Sequence, residues 1–268
     1  MKKTLRNLLL FALLVLCNSH ELFLRSESHF LKSNSAYELF LVNGTFDQSE
    51  NAITTDRIVF PKILGPNFEM VPTTDAFSYR DDKTYLTMVT GEAGTYVAGI
   101  STLPRVLEMT SVAFNDYLDH EGLDRTIALR KEQGETGMSA KERYSKHVKA
   151  LLQVDDRRSD HFKTRLGYPI EFVPLENPFD KKVGEPISFL LLRDGKPLAD
   201  QTVHYSTSVP GEDAHEGEKS VKTDADGVCT IIPDQAGPWY VATIHMLKSG
   251  EAEVDYESNW ATLTFAVR

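Results

Sequence analysis

The chain has 268 residues, 25% of them charged, and a formal net charge of −10. An acidic balance of this size argues against nucleic acid and anionic membrane surfaces as partners and suits a protein that meets cations. The length is enough for two modest domains.

Lys2, Lys3 and Arg6 precede an apolar run from Leu8 to Leu16. A basic start and a short apolar core mark residues 1–19 as a secretory signal peptide. The run is too short to span a bilayer as a helix. A cut after Ser19, with the small residues Cys17 and Ser19 at −3 and −1, releases His20 as the first mature residue. A lipoprotein signal acylated at Cys17 is the rival, ranked second because Leu16 is bulky where such signals take a small residue. Cleavage leaves 26 basic against 39 acidic residues, a net charge of −13. The mature chain is expected to be periplasmic or secreted, with no membrane span. Cys229 is then the one cysteine left, which rules out an intramolecular disulfide and fits a small buried strand residue.

Strand patterns follow at Tyr37 to Val42, Thr84 to Thr90, Gly94 to Ser101, Pro186 to Arg193, Gln201 to Thr207, Gly227 to Ile232, Trp239 to Met246 and Asn259 to Val267. The two halves resemble each other in order. KSNSAYELFLVNG resembles KVGEPISFLLLRDG, AGTYVAGIS resembles AGPWYVATIH, and YSKHVKALLQV answers YESNWATLTFAV. The fold expected is mainly β, two tandem immunoglobulin-like β-sandwiches, the first with a helical insertion. The first sandwich covers 20–156 with its insert at about 103–145, a charged linker covers 157–167, and the second sandwich covers 168–268.

Within the insert, Phe114, Tyr117 and Leu118 have helical spacing after a Thr110 or Ser111 cap, and Ile127 and Leu129 lie on a second piece after Gly122. Ser139 and Glu142 form a capping-box pattern, predicting a short helix that ends near Ser145 before a strand begins. TDADG (223 to 227) starts like a calcium loop, but position twelve from Asp224 is Gln235. It reads as a tight hairpin turn between Val221 and Val228.

Several segments together resemble a known family. H-E-L-F-L after the signal, F-N-D-Y-L-D-H-E-G-L (114 to 123), E-R-Y-S-K-H-V-K-A-L-L-Q-V (142 to 154), G-Y-P-I-E-F-V-P-L-E-N-P (167 to 178), G-K-P-L-A (195 to 199), T-D-A-D-G, I-H-M (244 to 246) and W-A-T-L-T-F (260 to 265) look like the NikM-like family. The similarity runs over essentially the whole mature chain. It implies a periplasmic, metal-associated, non-enzymatic accessory protein of the kind labelled a nickel or cobalt uptake component. The family's histidine just after the signal fits His20, and its H-M near the end fits His245 and Met246.

Read by chemistry, His20 at a free N-terminus offers an amine, titrating at about 7.7–8.0, and an imidazole, at about 6.5, as neutral donors near physiological pH. With a second imidazole opposite, the three nitrogens suit copper(II) or nickel(II). The bland alternative is a peptidase cutting before a polar residue. His245 is the favoured partner, sharing a strand face with Trp239, Val241 and Thr243, against an equal reading as a core histidine bonded to a carbonyl. Asp255 and Glu257 are candidates to complete or orient the shell, against a solvated acidic hairpin. His29 joins His20 if the chain turns back. His147 reads as a surface residue. No histidine or cysteine pair has zinc-site spacing.

The function expected is an exported metal-binding accessory protein for one transition-metal ion (copper, nickel or cobalt) in uptake or homeostasis, handing over to a membrane transporter or outer-membrane receptor. The alternatives are a non-metal envelope binding or structural module, and a copper-dependent oxidase built on an N-terminal histidine chelate. No G-x-S-x-G, phosphate loop or reactive cysteine setting favours an enzyme. Intact mass of the chain purified from its native envelope is expected to start at His20. A mass carrying acyl chains on Cys17 removes the free amine and with it the chelate.

Overall fold

Strict alternation along β-rich segments sets the architecture. A computed structural model of the protein describes residues 21–208 and 217–268. The first half contains β1 (Glu21–Ser26), β2 (Phe30–Leu31), β3 (Ala36–Gly44), β4 (Ile58–Gly65), β5 (Phe68–Met70), β6 (Phe77–Arg80), β7 (Lys83–Val89), β8 (Gly94–Thr102), β9 (Arg105–Met109), α1 (Ser111–His120), α2 (Asp124–Glu132) and β10 (Ala140–Val154). The second contains β11 (Ile170–Pro174), β12 (Ile187–Arg193), β13 (Lys196–Pro197), β14 (Thr202–Thr207), β15 (Lys219–Lys222), β16 (Val228–Ile231), β17 (Gly237–Lys248) and β18 (Tyr256–Val267).

Among the described residues these strands form three sheets. A ten-stranded central sheet runs β15-β14-β17-β18-β10-β8-β4-β5, with β2 and β9 also paired to β10. A four-stranded sheet, β1-β3-β7-β6, covers one part, and a second, built on β11-β12-β13 with β16 beside β12, covers the other. The protein is thus mainly β, of β-sandwich type, with a helical insertion in the first half. The strands ending the two halves lie side by side: β10 pairs with β18 in parallel, Glu142 to Ala150 against Tyr256 to Thr264.

Alternation assigns each face of the central sheet a partner. Val148, Ala150, Leu152 and Val154 of β10 join Leu22, Leu24, Leu39, Leu41 and Leu86 in the first core. Leu151 of β10 and Ala261, Leu263 and Phe265 of β18 join Phe172, Phe189 and Trp239 in the second. Strand β1 is the edge of its own sheet, and its free carbonyls are capped. Thr262 Oγ1 donates to Leu22 O at 2.7 Å and Thr264 Oγ1 to Leu24 O at 2.5 Å.

A buried ion pair ties the central sheet to the second small one. Lys149 Nζ lies 2.8 Å from Glu171 Oε2, with side chains 1% and 3% exposed. The amine also donates to Phe172 O at 2.9 Å and Thr164 O at 3.1 Å. Glu171 accepts from the amides of Leu166 and Gly167, both at 2.9 Å. Within 157–167, Phe162 is buried in the second core.

The insert folds as its spacing predicts. Thr110 caps α1, accepting from Ala113 N at 3.3 Å, and Phe114, Tyr117 and Leu118 are its buried residues. Two local expectations are corrected. No helix runs to Ser145, because β10 begins at Ala140. Glu142 does not box a helix end. Its carboxylate is buried in the sheet, accepting from Tyr117 Oη at 3.2 Å and from Ser258 Oγ. TDADG is not a hairpin, because β15 pairs with β14 in the central sheet while β16 pairs with β12 in the other. Asp224 Oδ1 accepts from the amides of Asp226 and Val228, both at 2.9 Å. Gly227 (φ 74°) turns the chain between sheets where a Cβ would lie 2.8 Å from Leu198 N. Cys229 is buried in β16, and burial pushes its thiol up to about 12. Among the described residues no helix is long and apolar enough to cross a membrane.

Replacing Lys149 by Met strands the Glu171 carboxylate in the interior. The expected loss, read by urea denaturation, is about 3–5 kcal/mol, most of it recovered when Glu171→Leu is added.

Candidate functional site

Polar residues from seven elements or their ends lie in the region where β1 begins. Glu21 is the first residue of β1 and pairs with Gly44 at the end of β3. Asn43 lies beside it on β3. Glu121 caps the C-terminus of α1, its amide donating to Tyr117 O at 3.0 Å. Gly122 (φ 62°) then turns the chain, and a Cβ there would meet Thr202 at 3.2 Å. Lys146 shares a β10 face with Val148 and Ala150 of the first core. His204 on β14 lies opposite Ala242, which lies opposite Thr262, so all three project to the β1 side. Glu218 stands just before β15, and Tyr240 reaches it from β17.

The polar contacts are specific. His204 Nδ1 lies 3.0 Å from Glu218 Oε1, and its Nε2 lies 3.3 Å from Glu121 O. Tyr240 Oη donates to Glu218 Oε2 at 2.5 Å. Lys146 Nζ donates to Asn43 Oδ1 at 3.1 Å. Glu21 is only 8% exposed.

Electrostatics follow from this crowding. Burial, then the charges of Glu218 and Glu121, raise the Glu21 carboxyl well above its ordinary value, against the opposing pull of His204 and Lys146. Burial pushes the His204 imidazole down, but the hydrogen bond and charge of Glu218, with Glu121, outweigh it and raise it to about 9. Burial lowers the Lys146 amine to about 7, although Glu21, Glu142 and Glu121 favour its charged form. Three acidic side chains thus share this region with His204 and Lys146 among the described residues. Among the described residues no three His, Cys, Asp or Glu side chains hold metal-ligand geometry by themselves.

The residues singled out from the sequence fall in several places. His20 lies outside the described residues, directly before Glu21 in the sequence. His245 projects to the opposite face of the central sheet, with Trp239 and Val241. There it borders a cleft of about 160 Å³ with Arg125, Asp200, Gln201 and Lys222. Burial, then Arg193 and Arg125, lower its imidazole to about 4. Glu257 shares that face, diagonal to His245 in the β17–β18 register. Its carboxylate is taken by Arg143 at 2.6 Å. Asp255 accepts from Lys141 N at 2.8 Å. His29 is 3% exposed, its Nδ1 2.8 Å from Leu151 O and its Nε2 without a partner. Burial lowers it to about 4. His245 is level with Ser145 of β10 through Asn259, and His29 with Leu151, six residues further on. That separates them by about 20 Å. Met246 packs with Ile244, Tyr256 and Trp260, on the other side from His245.

His147 is corrected from surface to interior. It is buried, with Nδ1 2.9 Å from Ser101 Oγ and Nε2 3.0 Å from Asn259 Oδ1. Sequence reading passed over Glu121, Lys146, His204 and Glu218. The available signal was charge inside apolar strands, Lys146 in SKHVKALLQV and His204 in TVHYST.

Fold and site together define a β-sandwich protein with a buried, acid-rich cluster at the head of its first strand. The chain belongs to the DUF4198 family, a domain of unknown function, whose family model matches residues 17–247. No curated protein matches the sequence. Among solved structures, the D0-D1 domain of intimin is 12% identical with a TM-score of 0.23, covering 91% of this chain and 97% of that one. The Escherichia coli adhesin FdeC is 11% identical with a TM-score of 0.21, covering 84% of this chain and 58% of that one. The ICAM-5 D1-D4 ectodomain fragment is 9% identical with a TM-score of 0.20, covering 92% and 50%.

Folding takes up a proton at Glu21, so this residue's contribution is present below its ordinary value of 4.5 and is lost as pH rises toward its folded value. Glu21→Gln removes that penalty. Thermal unfolding of the metal-free protein is expected to show the variant more stable than wild type, by a margin that widens from pH 5 to pH 8.

Proposed function

We propose that this protein is an exported, non-enzymatic metal-binding accessory protein of the NikM-like kind. It holds one transition-metal ion as cargo in the periplasm, for uptake or homeostasis, and passes it to a membrane transporter or outer-membrane receptor. The observation that supports this reading is the buried Glu21 side chain, set in an acidic neighbourhood with Glu218 and Glu121 beside His204 and Lys146. A buried carboxyl group in an acidic neighbourhood takes up either a proton or a cation.

The donors fall into two groups. Glu21 and Glu121, with Glu218, offer oxygen. His204 has both nitrogens engaged, by Glu218 and by the Glu121 carbonyl, so it orients a carboxylate and is not itself a ligand. The nitrogen donors of this reading are those of His20, the residue before Glu21, whose amine becomes free only when the chain is cut after Ser19. The resulting set of carboxylate oxygens, an amine and an imidazole suits nickel(II), cobalt(II) or copper(II).

The test is isothermal titration of the exported, processed chain with each ion, against Glu21→Gln, His20→Ala and a form extended by one residue before His20. One ion per chain is expected, with at least tenfold loss in all three variants. A processed chain that takes up none of these ions, with its fold intact, overturns the reading and leaves an envelope binding module.

A further inference from the structure

The cleft beside His245 is separate from the Glu21 cluster, and none of its lining residues belongs to that cluster. Its walls are set where β14 parts from β17. Ladder pairing between them runs from Thr207 and Trp239 only as far as His204 and Ala242. Further on, the Gln201 side-chain amide donates to Ile244 O at 3.0 Å, and the first turn of α2 packs where a strand would otherwise continue. A cavity of about 160 Å³ is left between helix and strand.

Two polar groups on this cavity have no hydrogen-bond partner among the described residues. The first is Thr126 of α2, which is only 5% exposed. A helical threonine ordinarily bonds the carbonyl four residues back, but Gly122 O is taken by Thr202 Oγ1 at 3.2 Å. The hydroxyl is not among the sealed, unpartnered polar atoms of the interior, so it opens on the cavity that Thr126 lines. The second is His245. Asn259, directly opposite it on β18, turns its oxygen to His147 at 3.0 Å. Arg125 stands at the rim, 3.0 Å from Asp200, with side chains 69% and 59% exposed. A pair so exposed is weak, and the guanidinium is free to turn inward. Leu123 and Leu129 supply apolar wall. Leu123 is also the N-cap of α2 and offers no side-chain cap, so the first-turn amides favour an anion.

We propose that this cleft binds a small organic carboxylate, its oxygens held by Thr126, Arg125 and a His245 that gains a proton as the anion enters, its apolar body against Leu123 and Leu129. The charges facing His245 fit this order of events. Burial, then Arg193 on β12 and Arg125 on α2, lower the imidazole to about 4 and keep it neutral, against Asp194. The nearby acids are already engaged. Asp194 is paired with Arg193 at 2.5 Å, Asp124 with Lys222 at 2.9 Å, and Glu257 with Arg143 at 2.6 Å. Lys248 is taken by Glu135 at 2.7 Å. A carboxylate therefore brings a negative charge that nothing yet neutralises, which favours the imidazolium. Affinity rises as pH falls from 8 toward 6.

The experiment titrates hexanoate, its neutral isostere hexanamide, and inorganic phosphate separately into the full processed chain. Calorimetry at pH 6, in two buffers of different ionisation heat, reads affinity and proton uptake together. Hexanoate is also titrated into Thr126→Val and His245→Gln. Hexanoate is expected to bind about tenfold or more tightly than hexanamide or phosphate, and Thr126→Val to weaken it by about tenfold. Binding takes up a proton in wild type and none in His245→Gln. Circular dichroism identifies a variant that does not fold, and the other then decides. Hexanoate that does not bind, binds no more tightly than hexanamide or phosphate, takes up no proton, or is held equally well by the folded variants overturns the inference. The metal reading rests on other residues and another titration, and stands or falls separately.

Discussion

The parallel pairing of β10 with β18 is the constraint on which the rest of the structure depends. A sandwich is ordinarily closed by its own last strand. Here the last strands of the two halves hydrogen-bond to each other over nine residue pairs. Each small sheet then covers its own part of one continuous central sheet, and the faces alternate residue by residue. Val148 and Ala150 serve the first core while Leu151 serves the second. A shift of one residue in this register would exchange the two cores, so apolar alternation on β10 and β18 fixes it.

The same register distributes the polar residues. Lys146 and Lys149 are three apart on β10, and three is an odd number. They therefore project to opposite faces and meet different carboxylates. Lys149 finds Glu171 and a full set of carbonyls, and the result is a satisfied structural tie. Lys146 finds Asn43 and an excess of acid.

Much of the fold was legible in the sequence because strand periodicity is a local property. Tyr37 to Val42, Gly94 to Ser101, Trp239 to Met246 and Asn259 to Val267 all fall on strands. Phe114, Tyr117 and Leu118 fall on the buried side of a helix. The failures share a cause. Ser139 and Glu142 satisfy a helix-capping spacing, but pairing with β18 supplies more hydrogen bonds than one helical turn can. His147 alternates with lysines and so read as exposed, yet the second small sheet covers that face. Neither outcome is encoded within a dozen residues.

The candidate site divides the same way. The sequence by itself determined that His20 is bonded to Glu21 and that the chain is acidic. Covalent order and composition need no fold. Only the tertiary structure decided which residues meet Glu21. Glu121, Lys146, His204 and Glu218 come from a helix end and three separate strands or their approaches, up to about 200 residues away. The tertiary structure also set His245 and Glu21 on opposite faces of one sheet. A strand's alternation gives which residues share a face, but which face turns toward a distant strand is settled by long-range pairing alone.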